Sequence, residues 1–92
     1  MALNGRTTRY SLGKGPDQVG VYELHYGGNI IYIGYGVIQN RLRSHHRNGI
    51  PFQRYRCKIT NDRRRAQQIE RRELRSFKHK RGRLPKYNER LG

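Results

Sequence analysis

The stretch VGVYELHYGGNIIYIGY, residues 19–35, decides the fold of this chain. It holds two strand-like runs, residues 19–26 and residues 30–35, separated by Gly-Gly-Asn at 27–29. Glycine and asparagine are the residues that tight hairpin turns favour, so the stretch predicts an antiparallel β-hairpin. Each predicted strand carries a short triplet of glycine, an aliphatic residue and tyrosine: Gly20-Val21-Tyr22 in the first and Tyr32-Ile33-Gly34 in the second.

The register of this hairpin determines whether the two triplet tyrosines can share one site. A three-residue loop at 27–29 sets Tyr22 opposite Gly34. Leu24 then lies opposite Tyr32, which makes Tyr22 and Tyr32 diagonal neighbours on one side of the sheet. A two-residue loop would place the two tyrosines on opposite faces, because side chains alternate along a strand. We expect the three-residue loop.

The rest of the chain predicts two helices and one more strand. A helix is expected over residues 37–47, because apolar residues mark one side of it and Asn48-Gly49 ends it. Residues 53–60 alternate between apolar and basic residues, which predicts a third strand with a basic outer surface. Asn61-Asp62 can cap a second helix that runs to about residue 80. The expected fold is α+β, with a three-stranded antiparallel sheet flanked by helices.

Length and composition favour a single small domain with a modest core. The chain has 92 residues, of which 33% are hydrophobic. A domain of this size buries only about 60% of the surface that its unfolded chain exposes. Residues 1–18 show little apolar pattern, so we expect a loose basic N-terminal arm there. Residues 19–92 are expected to form the folded domain.

The charge of the chain predicts a polyanionic partner. Twenty-one Lys and Arg against six Asp and Glu leave a formal net charge of +15. Nucleic acid is the first candidate, DNA above all, and an anionic membrane surface is the second. The sequence has no apolar run of about 20 residues, so no membrane span is expected. A single cysteine, Cys57, excludes an internal disulfide, disfavours a zinc site and suits a reducing cytoplasm.

Several arginines stand where folding alone gives no reason for them. Three of them begin the second predicted helix, where the helix dipole is positive and cations are unfavourable. Others lie on the outer face of the third predicted strand, and one lies on the first predicted helix. A phosphate backbone would explain these positions. The arginines expected to bind substrate are Arg43, Arg54, Arg56, Arg63 and Arg64.

Two carboxylates fall on the apolar side of the second predicted helix. Glu70 lies between Ala66 and Leu74 at helical spacing, and Glu73 also projects from this side. An unpaired carboxylate is costly to desolvate. Each carboxylate therefore forms a salt bridge to one of the arginines or binds a metal ion.

Glutamate, arginine, tyrosine and histidine side chains of this chain supply the groups that phosphodiester hydrolysis requires. Glu70 can hold one Mg²⁺ (or Mn²⁺), with waters and phosphate oxygens completing the shell. Arg41 can fork onto the scissile phosphate. Tyr22, beside many cations, is expected to have a lowered pKa and to take a proton from the attacking water. Tyr32 and His45, the latter one helical turn after Arg41, can orient or assist this transfer.

The two triplets, the helix with Arg41 and His45, and the helix with Glu70 follow one another in an order that resembles the GIY-YIG nuclease family. The resemblance covers roughly residues 19–88. It implies that Tyr22 is the base or its close partner and that Tyr32 lines the same site. It also implies site roles for the helix arginine and histidine, for the glutamate, and for the asparagine of a Pro-x-Tyr-Asn ending, which correspond to Arg41, His45, Glu70 and Asn88.

Two departures from the family pattern leave alternatives open. The segment from Gly34 to Arg41 is about one residue short, so Arg43 can substitute for Arg41. The segment from Glu70 to Asn88 is several residues long, which keeps Glu73 as a candidate ligand. The alternative function is a non-catalytic basic protein that binds nucleic acid. The chain shows no second domain to read sequence, so the nuclease either binds substrate through phosphates largely without sequence preference, or takes its specificity from a homodimer or a partner protein.

Overall fold

A computed structural model describes residue 3 and residues 5–91, and for residues 89–91 it describes the backbone alone. Four strands and three helices follow one another along the chain. In order they are β1 (Thr8–Arg9), β2 (Val19–Tyr26), β3 (Asn29–Val37), α1 (Ile38–Arg47), β4 (Arg54–Ile59), α2 (Arg63–Arg81) and α3 (Lys86–Leu91). The protein is α+β, as the sequence predicts.

The strands form one antiparallel sheet in the order β1-β4-β2-β3. This sheet has four strands where three were predicted. The additional strand, β1, comes from the segment expected to be a loose arm: Thr8 lies opposite Tyr55 and Arg9 opposite Arg54. The Tyr10 backbone N–H continues the pairing by donating to the Gln53 carbonyl at 2.9 Å. Part of the predicted arm is therefore a component of the sheet.

The hairpin has the predicted register, but a β-bulge produces it. Tyr22 lies opposite Gly34 and Leu24 opposite Tyr32, as expected. The connection is nevertheless two residues long, because Tyr26 pairs directly with Asn29. A shift between Leu24 and the next residue absorbs one extra residue of β3 and restores the pairing. Tyr22 and Tyr32 therefore share a face of the sheet.

The two faces of the sheet carry separate hydrophobic clusters. On the first face, Tyr22, Leu24 and Tyr32 pack against residues of α1, including Ile38 and Leu42. On the second face, the cluster combines strand residues with a residue of α2 and one from the chain start: Val21, Ile33, Ile69 and Leu3. The sheet is thus covered on both sides, and the tyrosines lie on the side of α1.

The second helix begins and ends at residues suited to those positions. The Asp62 carboxylate accepts hydrogen bonds from the backbone N–H groups of Arg64 (2.9 Å) and Arg65 (3.2 Å). Gly82 ends the helix in the left-handed conformation, with φ of 77°. In the described part of the chain, no helix is long and apolar enough to cross a membrane.

The short helix α3 secures the free edge of the sheet. The Asn88 side-chain oxygen accepts a hydrogen bond from the Ile33 N–H, and its amide nitrogen donates to the Ile33 carbonyl, both at 2.9 Å. This pairing satisfies backbone groups of an edge strand that would otherwise be available to another chain.

Candidate active site

The triplet glycines are required by close packing. A Cβ on Gly34 would lie 2.6 Å from the Tyr22 hydroxyl oxygen and 2.7 Å from the Tyr32 ring. A Cβ on Gly20 would lie 2.2 Å from the Lys58 carbonyl oxygen. Gly34 therefore makes room for the two tyrosine side chains, and Gly20 allows two strands to approach each other. The glycine and the tyrosine of the pattern are parts of one packing arrangement.

The hydroxyl of Tyr22 is the centre of a hydrogen-bonded cluster. It lies 2.7 Å from Nε2 of His45, and Nε of Arg41 donates to it at 3.3 Å. Tyr22 is wholly buried, and His45 is 4% exposed. The spacing of four residues puts Arg41 and His45 on one side of α1, and the hairpin register puts Tyr22 below them.

Tyr32 completes the cluster through ring contacts. Its ring centroid lies 4.6 Å from that of His45 and 6.2 Å from that of Tyr22. The His45 ring thus packs between two tyrosines, with its Nε2 turned to the Tyr22 hydroxyl. The structure brings together Tyr22, Tyr32, Arg41 and His45, four of the residues that the sequence assigned to the site.

The pKa of Tyr22 is raised, which corrects the expectation that the surrounding cations lower it. Burial is the largest cause, because it disfavours the phenolate. The charge and hydrogen bond of Arg41 act in the opposite direction but do not outweigh burial, and the charge of Glu70 adds to the rise. Tyr22 is therefore a neutral phenol at neutral pH.

His45 is neutral as well. Burial, assisted by the positive charge of Arg41, lowers the pKa of His45 to about 4. Arg41 can only donate, so the Tyr22 oxygen accepts from it. The Tyr22 proton is then available for Nε2 of His45. In this arrangement the His45 ring carries its own proton on Nδ1, and the hydrogen bonds run from Arg41 to Tyr22 to His45.

The depressed pKa of His45 predicts that stability falls in mild acid. The folded-state pKa is about 4, whereas an unfolded histidine titrates near about 6.5. Between these values the unfolded chain binds more protons, so the free energy of unfolding decreases as the pH drops through this window. Urea denaturation at several pH values measures this free energy of unfolding. We expect His45→Gln to remove part of the decrease and the exposed His46→Gln to retain it. An unchanged pH dependence in His45→Gln would contradict the assignment.

The structure distinguishes the two candidate arginines. Arg41 contacts the Tyr22 hydroxyl, whereas Arg43 is exposed and lies outside the cluster. Gly36 has a φ of 138° and lies beneath the Arg41 side chain, where a Cβ would be 3.1 Å from Arg41 Cγ. Arg41 also lines an open cleft of about 450 Å³ together with Arg63. The remaining lining residues of this cleft are Tyr35, Gly36, Val37 and Asn40.

Glu70 is a carboxylate within electrostatic reach of Tyr22. Its charge affects the pKa of Tyr22, whereas Glu73 is buried and lines a separate cavity with Glu23 on the other side of the sheet. Burial raises the pKa of Glu70, and the neighbouring Arg71 partly offsets the rise. Of the two alternatives left open by the sequence, the salt bridge is not present: within the described residues, Glu70 forms neither a hydrogen bond nor an ion pair.

The donor set around Glu70 fits one kind of metal ion. Within residues 3 and 5–91, no three His, Cys, Asp or Glu side chains group together as metal ligands. A zinc site needs three or four such ligands. Mg²⁺ commonly binds through one or two carboxylates, waters and substrate phosphates. A single carboxylate in electrostatic reach of Tyr22 is therefore compatible with Mg²⁺ or Mn²⁺ and not with a zinc site made of protein ligands.

Several arginines expected to bind substrate do not reach the cluster. Arg54 donates to the Thr7 hydroxyl at 2.7 Å and to its carbonyl at 2.9 Å. Arg56 donates to the buried Glu23 carboxylate at 2.7 Å. Arg64 is exposed at the start of α2. Of this group, Arg63 alone lines the cleft beside Arg41.

Asn88, which the sequence assigned to substrate binding, forms hydrogen bonds with the sheet. Its side-chain amide pairs with the Ile33 backbone, so it holds the strand that carries the second triplet. The sequence interpretation also missed Tyr35 and Asn40, which line the cleft. The signal that could have identified them is Gly36, a third glycine directly after the triplet.

The fold and the cluster define a small α+β protein in which a buried tyrosine and a buried histidine contact each other, and an exposed arginine contacts the tyrosine, on one face of an antiparallel sheet. The chain belongs to the family described as Domain of unknown function (DUF7508), which matches residues 6–76. The matched segment contains all four strands, α1 and most of α2, including Glu70. A search of curated proteins and a search of solved structures found no match.

Proposed function

We propose that this protein is a metal-dependent endonuclease of the GIY-YIG type that hydrolyses phosphodiester bonds, with DNA as the favoured substrate. The observation that carries the proposal is the Tyr22 hydroxyl, held between Arg41 and His45 with the unpaired Glu70 in electrostatic reach. A hydrogen-bonded chain of two buried polar side chains and an arginine, in electrostatic reach of an unpaired carboxylate, is an arrangement that folding alone does not require.

Arg41 provides the site for the scissile phosphate. Its Nε donates to Tyr22 and its side chain also hydrogen-bonds to Tyr32, so a forked contact with phosphate oxygens uses the remaining N–H groups of the guanidinium. The guanidinium stays charged, because its pKa is raised, chiefly by Tyr22. Arg41 also covers the buried Tyr22 hydroxyl, so a shift of this exposed side chain toward the phosphate opens the hydroxyl to a water molecule.

Tyr22 and His45 provide the route for the proton. The attacking water gives a proton to the Tyr22 oxygen while the Tyr22 proton passes to Nε2 of His45, so no free phenolate forms. The resulting hydroxide bonds to phosphorus, the bond from phosphorus to the 3′ oxygen breaks, and the 3′ oxygen takes a proton from solvent. His45 then releases its second proton to solvent, which its lowered pKa favours. This relay is compatible with the raised pKa of Tyr22, whereas a preformed phenolate is not.

Glu70 would hold the metal ion. When bound, Mg²⁺ or Mn²⁺ supplies charge stabilisation at the phosphate and the leaving oxygen. Binding the cation would also keep the Glu70 carboxylate ionised, although burial raises its pKa in the free protein.

The alternative is a basic protein that binds nucleic acid without cutting it. The charge of +15 fits both functions. Glu70 favours the nuclease, because a carboxylate near a phosphate site repels the phosphate unless a cation lies between them.

A cleavage screen tests the proposal. The purified protein is incubated with duplex, flap, single-stranded and RNA substrates, each with Mg²⁺ and with a chelator. We expect cleavage of at least one substrate in Mg²⁺ and none in the chelator. Binding without cleavage on all substrates would favour the alternative, and cleavage in the chelator would contradict the metal requirement.

Binding is expected to depend strongly on salt. If about six phosphates are neutralised, the logarithm of the association constant should fall with the logarithm of salt concentration with a slope on the order of −5 for a duplex. Fluorescence anisotropy without divalent cations measures this slope. A flat response up to physiological salt would contradict binding through phosphates and indicate a protein partner instead.

The proposal includes a cytoplasmic location, consistent with a single cysteine.

The proposal also includes assembly of the protein with a second copy or with a partner protein. One cluster and one carboxylate per chain cut one strand at a time, so a double-strand break requires two protomers or two binding events. A homodimer or a partner protein would also supply the sequence specificity that a phosphate-dominated surface lacks.

A further inference from the structure

A second pocket lies on the face of the sheet that carries the cluster. It has a volume of about 360 Å³, within the range of about 300–1,000 Å³ that is typical of small-ligand sites. It opens between the β1 strand and the C-terminal end of α1. Its lining residues are Arg9, Tyr10, Ser11, Leu12, His46, Phe52, Gln53 and Arg54.

Aromatic rings form one side of this pocket. The Tyr10 ring centroid lies 4.7 Å from that of Phe52 and 5.6 Å from that of His46. The Tyr10 hydroxyl is buried and has no hydrogen-bond partner in the described part of the chain. Ring packing, rather than a hydrogen bond, therefore holds Tyr10 in place. His46 is exposed, so a planar group entering the pocket can stack on its ring.

Two arginines stand together at the pocket with no carboxylate beside them. Arg9 and Arg54 are directly opposite each other on neighbouring strands, and like charges in this position destabilise a sheet. No Asp or Glu lines the pocket. Two hydrogen bonds to Thr7 hold the Arg54 guanidinium. Arg54 thus holds the segment at Thr7, but Arg9 directly opposite adds a repulsion that an anion between the two guanidinium groups would offset.

We propose that this pocket binds an unpaired nucleotide of the substrate, with the base against the aromatic rings and the phosphate at Arg9 and Arg54. Aromatic rings combined with a basic groove are how proteins hold single-stranded nucleic acid. A base paired inside a duplex cannot stack on a side chain in this way. The inference rests on the nucleic-acid part of the proposed function and narrows it to strands with unpaired bases.

The position of the pocket relative to the cluster supports this substrate class. Arg41 and His46 are five residues apart on α1, which corresponds to about 7.5 Å along the helix axis. Tyr10 and Phe52 pack in the same hydrophobic cluster as Tyr22. The pocket and the cluster therefore lie on the same side of the sheet, where one strand can contact both.

Anisotropy measurements with two labelled strands of equal length test the proposal. One strand carries normal bases, the other consists of stable abasic nucleotides, and both are measured without divalent cations so that nothing is cut. We expect the wild-type protein to bind the strand with bases at least about fivefold more tightly, since one stacked base contributes this much or more. A 2-aminopurine in the strand should lose fluorescence on binding.

Point variants locate the effect. His46→Ala should remove most of the preference for bases, whereas His79→Ala, an exposed histidine of α2 outside the pocket, should keep it. Arg9→Gln should weaken binding of both strands to a similar extent, because it removes a phosphate contact.

Equal affinity of the wild-type protein for both strands, or an unchanged preference in His46→Ala, would overturn the proposal. These readouts do not involve cleavage. If the protein cuts nothing but still prefers the strand with bases, and this preference depends on His46, the pocket does bind a base and the nuclease proposal is wrong.

Discussion

Glu70→Ala is expected to abolish Mg²⁺-dependent cleavage while nucleic-acid binding persists. Glu70 is half-buried near the cluster and has no hydrogen bond or ion pair among the described residues. Its removal therefore breaks no internal contact of that kind, and burial of a neutral group in its place relieves a desolvation cost. The loss should appear in the rate and not in the stability. Cleavage and thermal unfolding of the same preparation measure the two separately.

The matched control for this variant is Glu73→Ala, one turn along the same helix. Glu73 is buried on the opposite side of the sheet, so its removal should lower stability and leave cleavage by the folded protein near the wild-type rate. If Glu70→Ala keeps its activity and Glu73→Ala loses it, our proposal has assigned the metal to the wrong residue.

Arg41→Ala is expected to reduce the rate of cleavage by about 10²-fold or more. A guanidinium that forks onto the phosphate acts mainly on the charge that develops in the transition state. The variant also removes a donor from the Tyr22 hydroxyl. Single-turnover cleavage at saturating protein measures the chemical step without the contribution of affinity.

Arg43→Ala provides the comparison, because Arg43 is an exposed arginine two residues further along α1 and lies outside the cluster. It should weaken binding and leave the single-turnover rate nearly unchanged. An inactive Arg43→Ala beside an active Arg41→Ala would show that the short segment after Gly34 moves the catalytic role to Arg43.

Sequence patterns predicted the hairpin, its register, both long helices and the faces that they bury. The bulge in β3 was not predictable, because a two-residue turn with one extra strand residue gives the same pairing of Tyr22 with Gly34 as a three-residue turn. The β1 strand was missed because two polar residues, Thr8 and Arg9, have no periodicity to detect. Their pairing becomes visible only when β4 is in place.

The residues of the cluster were predictable from the order of the two triplets and the two helices, which resembles a known family, but their chemistry was not. The direction of the Tyr22 pKa shift depends on burial, and burial is set by the packing of α1 over the sheet rather than by the number of cations in the chain. Likewise, Arg56 on β4 forms an ion pair with Glu23, which lies opposite it on the neighbouring strand β2. The sequence shows both residues but not that they are neighbours.

The most direct test of the central claim, that the cluster around Tyr22 is catalytic, is single-turnover cleavage by Tyr22→Phe in Mg²⁺. This change keeps the ring and its packing and removes only the hydroxyl between Arg41 and His45. The account predicts a folded protein, as judged by circular dichroism, that binds substrate normally and cuts about 10²-fold more slowly or worse. Cleavage at the wild-type rate by folded Tyr22→Phe would contradict it.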